Sequence, residues 1–190
     1  SIPTGVTKIG DSAFFGSLIE SVTISSSVRL IDNRAFARCN NLTFINLEEG
    51  VEEIGYLGFY NLPLLTTITL PSTVNTIQEK AFGRCPALMS IQSLNPEPPV
   101  CTNEEIFDYD AYTNVALNVP KEAVEAYKTA EVWSNFENIT GISGVSDIDA
   151  DDASSIWYTV GGVRLDGSPS EKGVYLRVSY QGVKRVMIKD

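Results

Sequence analysis

Residues 28–47, VRLIDNRAFARCNNLTFINL, contain one full copy of the pattern that the first half of the chain repeats. It reads Val-x-x-Ile, then Phe five residues after the isoleucine, then a Leu-x-x-Ile-x-Leu segment. The Val-x-x-Ile opening recurs from Val6, Val28, Val51 and Val74, in steps of 22, 23 and 23 residues. Self-similarity held at a fixed period of this length predicts a repeat architecture, in which each repeat buries the apolar edge of its neighbour.

Each repeat carries one phenylalanine at the same place, directly after a small residue: Phe14, Phe36, Phe59 and Phe82. Phenylalanine is the largest side chain of the repeat, so we expect it to fill the interior. The Leu-x-x-Ile-x-Leu segments alternate apolar and polar residues, which predicts strands with one buried face that stack as a parallel sheet. Residues 1–95 are therefore predicted to form four stacked rungs with Val, Ile, Leu and Phe inward.

The outward positions of the predicted strands form a stripe of hydroxyl and amide side chains with one aromatic residue in it. The stripe is either a solvated sheet face or a protein-binding face anchored by Phe44, because aromatic residues dominate binding hot spots. The candidate residues are Ser21, Thr23, Phe44, Asn46, Thr67, Thr69, Ser90 and Gln92.

Residues 96–141 are predicted to cap the array. After Ile91 the repeat pattern stops, and the prolines of residues 95–99 cannot donate ladder hydrogen bonds. A last rung is expected at residues 115–119, followed by a short helix over residues 121–129 that Pro120 opens. Four large apolar residues are expected to plug the open end, where an exposed rung would invite edge pairing. They are Tyr127, Trp133, Phe136 and Ile139.

The sequence begins at Ser1 within the repeat pattern of the first rung. It shows neither a cap nor a signal segment before that rung. Arrays need polar terminal units, so we expect a cap or further repeats upstream, and any signal peptide to be already removed or outside this sequence.

Residues 142–190 are predicted to hold a polar linker, residues 144–153, and a small antiparallel β module. Apolar alternation from Ile156 is punctuated by Gly161-Gly162, Asp166-Gly167 and Gln181-Gly182, which predicts three or four strands joined by tight turns. A unit this small is only marginally stable by itself, so we expect it to pack on the solenoid cap or on a partner.

The pattern Ile-Pro-x-x-Val-x-x-Ile-Gly-x-x-Ala-Phe-x-x-Cys-x-x-Leu-x-x-Ile resembles the BspA-like leucine-rich-repeat proteins of bacteria. Residues 2–14 match it almost letter for letter, residues 73–91 nearly so, and residues 117–139 resemble the ending of such arrays. In the third repeat Leu62 replaces the Cys of the pattern. The resemblance implies a leucine-rich-repeat solenoid with short helical or turn returns, on a secreted or cell-surface protein. It also implies host extracellular proteins as one class of ligand.

The tail resembles the C-terminal domains of type IX secretion, on the segments Trp157–Arg164, Gly173–Leu176 and Lys184–Lys189. The resemblance implies a role in export and surface attachment. This copy is shorter than the seven-strand domain of that family, so a structural remnant is an equal alternative.

The composition of the chain argues against several classes of partner and activity. The net charge of −10 disfavours nucleic acid and anionic lipid as partners, since both bind clusters of Lys and Arg. The absence of histidine excludes Ser-His-Asp and Cys-His catalysis and removes the commonest metal ligand. No apolar run is long enough to span a membrane. We therefore expect no enzyme activity, no cofactor and no metal.

Three features invite chemical interpretations that their context disfavours. Asp147-x-Asp149-x-Asp151 opens like a calcium loop, but the sixth and twelfth places lack Gly and Glu, which favours a solvated linker. Cys39 and Cys85 hold one repeat position two rungs apart, ~10 Å at ~4.8 Å per rung, which is too far for a disulfide and favours buried side chains. The third feature is a set of carboxylates on a turn, expected to be a solvated edge rather than a glycosidase pair: Glu48, Glu49, Glu52 and Glu53.

Three functions follow in order of preference. The first is a non-enzymatic secreted or surface module that binds a protein through its repeat face. The second is a structural spacer or scaffold of a larger surface protein. The third is a carbohydrate-active enzyme or lectin, which exposed aromatic residues clustered beside carboxylates would favour. The identity of the ligand and the oligomeric state stay open.

Overall fold

The computed structural model describes residues 1–142 throughout and, beyond them, the backbone of residues 156–159, 164–165, 173–179 and 182–188. The chain divides into two compact units, Ser1–Ile142 and Ser143–Asp190. The predicted linker, with its calcium-like Asp147-x-Asp149-x-Asp151, lies outside the described residues, as do the turns predicted at Gly161-Gly162 and Asp166-Gly167.

The first unit is a solenoid in which each of five rungs gives one strand to each side. The short strands form one parallel sheet in the order β1 (Lys8–Ile9), β3 (Leu30–Ile31), β5 (Glu53–Ile54), β7 (Thr76–Ile77) and β9 (Val100–Cys101). The longer strands are β2 (Ser21–Ile24), β4 (Phe44–Leu47), β6 (Thr67–Leu70), β8 (Ser90–Ser93), β10 (Ala116–Pro120) and β11 (Ile139–Ile142). They pair in parallel as β2-β4 and as β6-β8-β10-β11. The predicted solenoid of parallel rungs is confirmed.

A continuous stack of phenylalanine rings runs through the interior. The rings of Phe14, Phe36, Phe59, Phe82 and Phe107 lie with successive centroids 5.0, 5.4, 5.6 and 5.6 Å apart. The middle three are almost wholly buried, whereas Phe14, which has a ring on one side alone, is half-buried. The inward placement of Val, Ile, Leu and Phe is confirmed, and the repeat of 22–23 residues is what brings one ring above the next.

The returns of the first four rungs are hydrogen-bonded turns. In rung 2 the amides of Ala35 and Ala37 donate to carbonyls three residues back. The alternate amides, those of Arg34, Phe36 and Arg38, donate to carbonyls of the next rung. This alternation satisfies the backbone both along the chain and between rungs, so buried polar groups do not penalise the tight stacking.

The repeat does not stop after Ile91, which corrects the sequence prediction. Cys101 pairs with Ile77 across β7 and β9, and Phe107 bridges and stacks on Phe82. The sequence pattern did not reveal the fifth rung because Cys replaces the isoleucine and the phenylalanine follows it at the sixth position rather than the fifth. A helix, α1 (Tyr109–Asn114), then leads into β10.

The prediction that Ile139 belongs to the plug was wrong. Ile139 begins β11 and pairs with Leu117 of β10, so it continues the sheet. The other three predicted plug residues, Tyr127, Trp133 and Phe136, are buried. The predicted helix over residues 121–129 is a 3-10 turn, Lys121–Ala123, followed by α2 (Val124–Thr129), and a second 3-10 turn, Trp133–Asn135, carries Trp133.

Buried polar contacts fix the cap to the last rungs. Ser93, wholly buried, takes the place at which earlier rungs have Ile or Leu, and its hydroxyl lies 2.7 Å from the hydroxyl of Tyr127. The Tyr127 hydroxyl donates to the carbonyl of Asn95 at 2.9 Å, and Trp133 Nε1 donates to that of Pro99 at 2.7 Å. The polar residue in an apolar column is therefore the partner of the cap tyrosine.

These contacts predict that the solenoid loses stability in alkali. Burial raises the pKa of Tyr127 from its ordinary value of 10 to about 12. The neutral phenol is thus favoured by the fold: its stabilisation is complete below pH 10 and is lost as the pH rises towards 12. Thermal melts should show a steeper fall of Tm between pH 10 and 12 for the native chain than for Tyr127→Phe. The control Tyr109→Phe, which removes a hydroxyl from a residue 86% exposed, should follow the native profile; identical slopes in Tyr127→Phe and native protein would contradict the assignment.

In the second unit four strands pair antiparallel in the order β13 (Arg164–Leu165), β12 (Ile156–Thr159), β14 (Gly173–Ser179) and β15 (Gly182–Ile188). The longest pairing joins β14 to β15, with Gly173 opposite Ile188 and Ser179 opposite Gly182.

Candidate functional site

The long strands place the eight candidate residues in two columns on the outward face. The residues between them, such as Val22 and Ile45, are buried, so the candidates occupy the outward half of each alternation. In-register pairing puts Phe44 beside Ser21 and Asn46 beside Thr23. In the next sheet, Thr67 and Thr69 of β6 pair with Ser90 and Gln92 of β8.

The face extends beyond the predicted residues. Asn118 pairs with Gln92, and Thr140 pairs with Asn118, so one column continues over β10 and β11. Sequence reasoning missed both, since residues 115–119 were assigned to the last rung without their outward side chains and Ile139 was assigned to the plug.

Most polar side chains of this face form no hydrogen bond to another described residue. Asn118 Nδ2 donates to Ser90 Oγ at 3.0 Å. The others form no side-chain hydrogen bond with any residue in the part of the chain that the structure describes: Ser21, Thr23, Asn46, Thr67, Thr69, Gln92 and Thr140. Their donors and acceptors are therefore free to bond a partner.

The strand face also carries no charge, although charged residues make up 20% of the chain. None of its ten members, the eight predicted residues with Asn118 and Thr140, is Asp, Glu, Lys or Arg. Phe44, the first residue of β4, has 54% of its surface exposed.

Further exposed apolar residues border the strand face where the chain enters it. Leu18, Leu64 and Met89 have 77%, 49% and 62% of their surfaces exposed, and each lies within three residues of the start of its strand. With Phe44 they give each of the first four rungs one large exposed apolar side chain at this border.

The four glutamates of the acidic turn all bond residues of neighbouring rungs. Glu48 accepts the amide of Ser26 at 2.9 Å, and Glu49 accepts the amide and the hydroxyl of Ser72 at 3.1 and 2.8 Å. Glu52 forms an ion pair with Arg29, and Glu53 accepts a hydrogen bond from the side-chain Nε2 of Gln78. Each carboxylate thus joins its rung to a neighbour. Within the described residues no three His, Cys, Asp or Glu side chains lie together in a way that could hold a metal ion.

The cysteines lie in the interior wall. Cys39 and Cys85 are buried and free, as predicted, and each thiol donates to the carbonyl of the phenylalanine one rung earlier, at 3.0 Å to Phe14 and 3.4 Å to Phe59. Burial raises the pKa of both thiols, that of Cys85 to about 12. Burial also raises the pKa of Cys101, the edge residue of the fifth rung, to about 12. Thiols held in the neutral form are poor nucleophiles, so they are suited to packing rather than to chemistry.

Comparison with known families agrees with this geometry. A family described as the BspA type leucine rich repeat region matches residues 1–97 in six copies. No curated protein matches the chain.

One solved structure that resembles the chain is that of a leucine-rich repeat protein from Bacteroides ovatus, at 23% sequence identity and a TM-score of 0.47. The match covers 75% of this chain and 41% of the other, so the chain spans less than half the length of that protein. None of the described helices has the length and apolar character needed to cross a membrane.

Proposed function

Because the chain belongs to the BspA-type leucine-rich-repeat family, we propose that its strand face binds a protein ligand. One observation carries the proposal: the ten outward positions of the two parallel sheets β2-β4 and β6-β8-β10-β11 hold no charged residue, and most of their polar groups form no hydrogen bond within the described part of the molecule.

The centre of a protein–protein interface is depleted of charge and enriched in aromatic residues and methionine. The strand face meets the first condition, and Phe44 with the bordering Met89 meets the second. A rigid sheet also loses little conformational entropy on binding, because its backbone is already ordered. Phe44 is the proposed anchor, with Asn46 and Thr69 as neighbouring hydrogen-bonding groups.

The setting we propose is outside a bacterial cell, secreted or on the surface. Proteins of this family are typical of that setting, and the tail resembles type IX secretion domains. Host matrix or plasma proteins are the ligand class that the family resemblance favours. Export by the tail is part of the same proposal, and a structural remnant is its alternative.

We propose no enzymatic role. Support comes from the lack of histidine and from the engagement of the acidic turn, whose carboxylates all bond neighbouring rungs. A spacer or scaffold is the competing function, and the unbroken ring stack from Phe14 to Phe107 would suit a stiff rod.

A matched pair of variants tests the binding face. The immobilised native chain, Asn46→Arg and Asn75→Arg are exposed to the same panel of purified extracellular-matrix and plasma proteins. Both asparagines are exposed, but Asn75 directly precedes β7, in the sheet of short strands. A bound panel member should lose at least about tenfold in affinity with Asn46→Arg, because the arginine puts an unpaired charge into the interface, and should be unaffected by Asn75→Arg. Retention of no panel member by the native chain would favour the spacer, and equal loss in both variants would remove the strand face as the site.

A further inference from the structure

The return side of the solenoid has a cleft that the strand-face proposal does not use. It has a volume of about 390 Å³ and lies between the first three rungs. This volume falls within the range of about 300–1,000 Å³ typical of small-ligand sites. Phe15, Arg34, Arg38, Leu57 and Tyr60 line it, and we call it the return cleft.

The return cleft is cationic in an acidic protein. None of its lining residues is acidic, and two are arginines with exposed side chains. Within residues 1–142 neither Arg34 nor Arg38 forms an ion pair, whereas Arg29 pairs with Glu52 and Lys80 with Glu105. Since exposed charges more than about 8 Å apart are largely screened at physiological ionic strength, the net charge of −10 does not cancel this local field.

Each arginine lies over an aromatic ring. The guanidinium carbon of Arg38 is 5.7 Å from the ring centroid of Phe15, and that of Arg34 is 5.4 Å from that of Tyr56. A guanidinium stacked by one face on a ring keeps its N–H edges free for bidentate bonds to an oxyanion. The stacking therefore orients both groups before any ligand arrives.

The backbone beneath the arginines is unusual for these residues. Arg34 and Arg38 have φ of +54° and +60°, in the left-handed region that favours glycine and asparagine. The places equivalent to Arg38 hold Gly16 in the first rung and Asn61 in the third, and those equivalent to Arg34 hold Ser12, Leu57 and Lys80. The turn geometry therefore does not require arginine at either place of rung 2.

The same arrangement recurs two rungs further on. Arg84 also has a positive φ, of +55°, and lies over Tyr60 with the guanidinium carbon 5.8 Å from the ring centroid. Arg38 and Arg84 occupy equivalent places two rungs apart, a separation of ~10 Å at ~4.8 Å per rung. Arg38, Leu57 and Tyr60 line both the return cleft and a second groove, of about 1020 Å³, that contains Arg84. The second groove also contains Glu104, Glu105, Asp108 and Glu137, which oppose an anion, so the candidate anion site is the return cleft alone.

We propose that the return cleft binds an acidic polysaccharide, with the carboxylate or sulfate groups on Arg34 and Arg38 and a sugar ring against Phe15. Phe15 has 47% of its surface exposed and offers a flat apolar surface at the cleft. A uronic acid or a sulfated sugar presents an apolar ring face and an oxyanion on one rigid unit, which matches a ring and a guanidinium fixed side by side. A flexible acidic peptide would gain from the arginines but not from this fixed pairing, and it would lose more conformational entropy on binding.

The test measures binding of the full chain to four polymers by isothermal titration calorimetry. Hyaluronan oligosaccharides carry carboxylates alone, chondroitin sulfate carries carboxylates and sulfates, dextran is neutral, and poly-glutamate is an acidic peptide. We expect one or both acidic glycans to bind and to weaken with added salt, and we expect dextran and poly-glutamate to bind at least about tenfold more weakly. A preference for chondroitin sulfate over hyaluronan would assign sulfate as the recognised group, and equal binding would assign the carboxylate.

Variants place the binding in the return cleft. Arg34→Ala/Arg38→Ala should weaken glycan binding at least about tenfold, because charge-assisted hydrogen bonds are lost. Arg38→Lys should weaken it too, since the charge remains without the stacked fork. Lys121→Ala, which removes one exposed charge elsewhere, should bind as the native chain does. Failure of both acidic glycans to bind, equal binding of poly-glutamate, or native affinity in the double variant would each overturn the proposal. The strand-face variant Asn46→Arg should leave glycan binding unchanged, so this proposal and the protein-ligand proposal can fail separately.

Discussion

Replacing Phe82 with alanine should lower the free energy of unfolding by about 3–5 kcal/mol. The side chain is 1% exposed and lies between the rings of Phe59 and Phe107, each with its centroid 5.6 Å away. Its removal would leave a cavity in a column that cannot close, because rung-to-rung hydrogen bonds fix the spacing of the backbone. Urea unfolding followed by circular dichroism measures the loss.

Two other phenylalanines serve as controls for that substitution. Phe44→Ala, on the exposed strand face, should change the stability by no more than about 0.5 kcal/mol. The loss in the free energy of unfolding for Phe14→Ala should lie between those two values, because Phe14 is half-buried and stacks on one side alone. If Phe82→Ala and Phe44→Ala had the same effect, the ring stack would not be the core that stabilises the solenoid.

Trp133→Ala should cost a similar amount, about 3–5 kcal/mol, at the end of the array. Trp133 is wholly buried, and its ring contacts those of Phe107, Tyr127 and Phe136 at centroid distances of 5.9, 5.4 and 6.1 Å. It also donates to the carbonyl of Pro99 at 2.7 Å, which would be left without that partner.

Trp133→Phe separates the packing of the cap from its hydrogen bond. Phenylalanine keeps most of the ring contacts but not the donor, so the loss should shrink to about 1–3 kcal/mol. Hydrogen exchange of β10 and β11 should rise in Trp133→Ala before that of β3 and β5, because the damage is nearest the cap. Uniform exchange along the whole solenoid would argue against a local role for Trp133.

The inward half of the solenoid could be predicted because its physical requirement is periodic. One ring per rung must lie above the next, so Phe36, Phe59 and Phe82 recur at fixed spacing, and the alternating strand residues follow. The same logic placed the outward stripe, since a residue between two buried ones in a strand must face out.

Other features of the fold do not repeat along the sequence, so the repeat pattern could not predict them. Cys101 and Phe107 form the fifth rung with a substituted residue and an extra one between them, which broke the pattern. Ser93 is a polar residue in an otherwise apolar column, which indicates that it has a polar partner. The sequence does not identify that partner, because only the fold brings Tyr127 next to Ser93. The return cleft depends on arginines whose direction is set by the left-handed turns, and no sequence pattern encodes that direction.

Photo-crosslinking from the strand face shows whether this surface contacts a protein ligand. Benzoylphenylalanine is placed at position 44 of one sample and at position 109 of another, where Tyr109 is 86% exposed and lines the groove that contains Arg84. Both samples are irradiated in the same mixture of matrix and plasma proteins, and adducts are identified by mass spectrometry. We predict a defined protein adduct from position 44 that is absent from position 109 and suppressed by Asn46→Arg. Adducts from position 109 alone, or the same adducts from both positions, would contradict the claim.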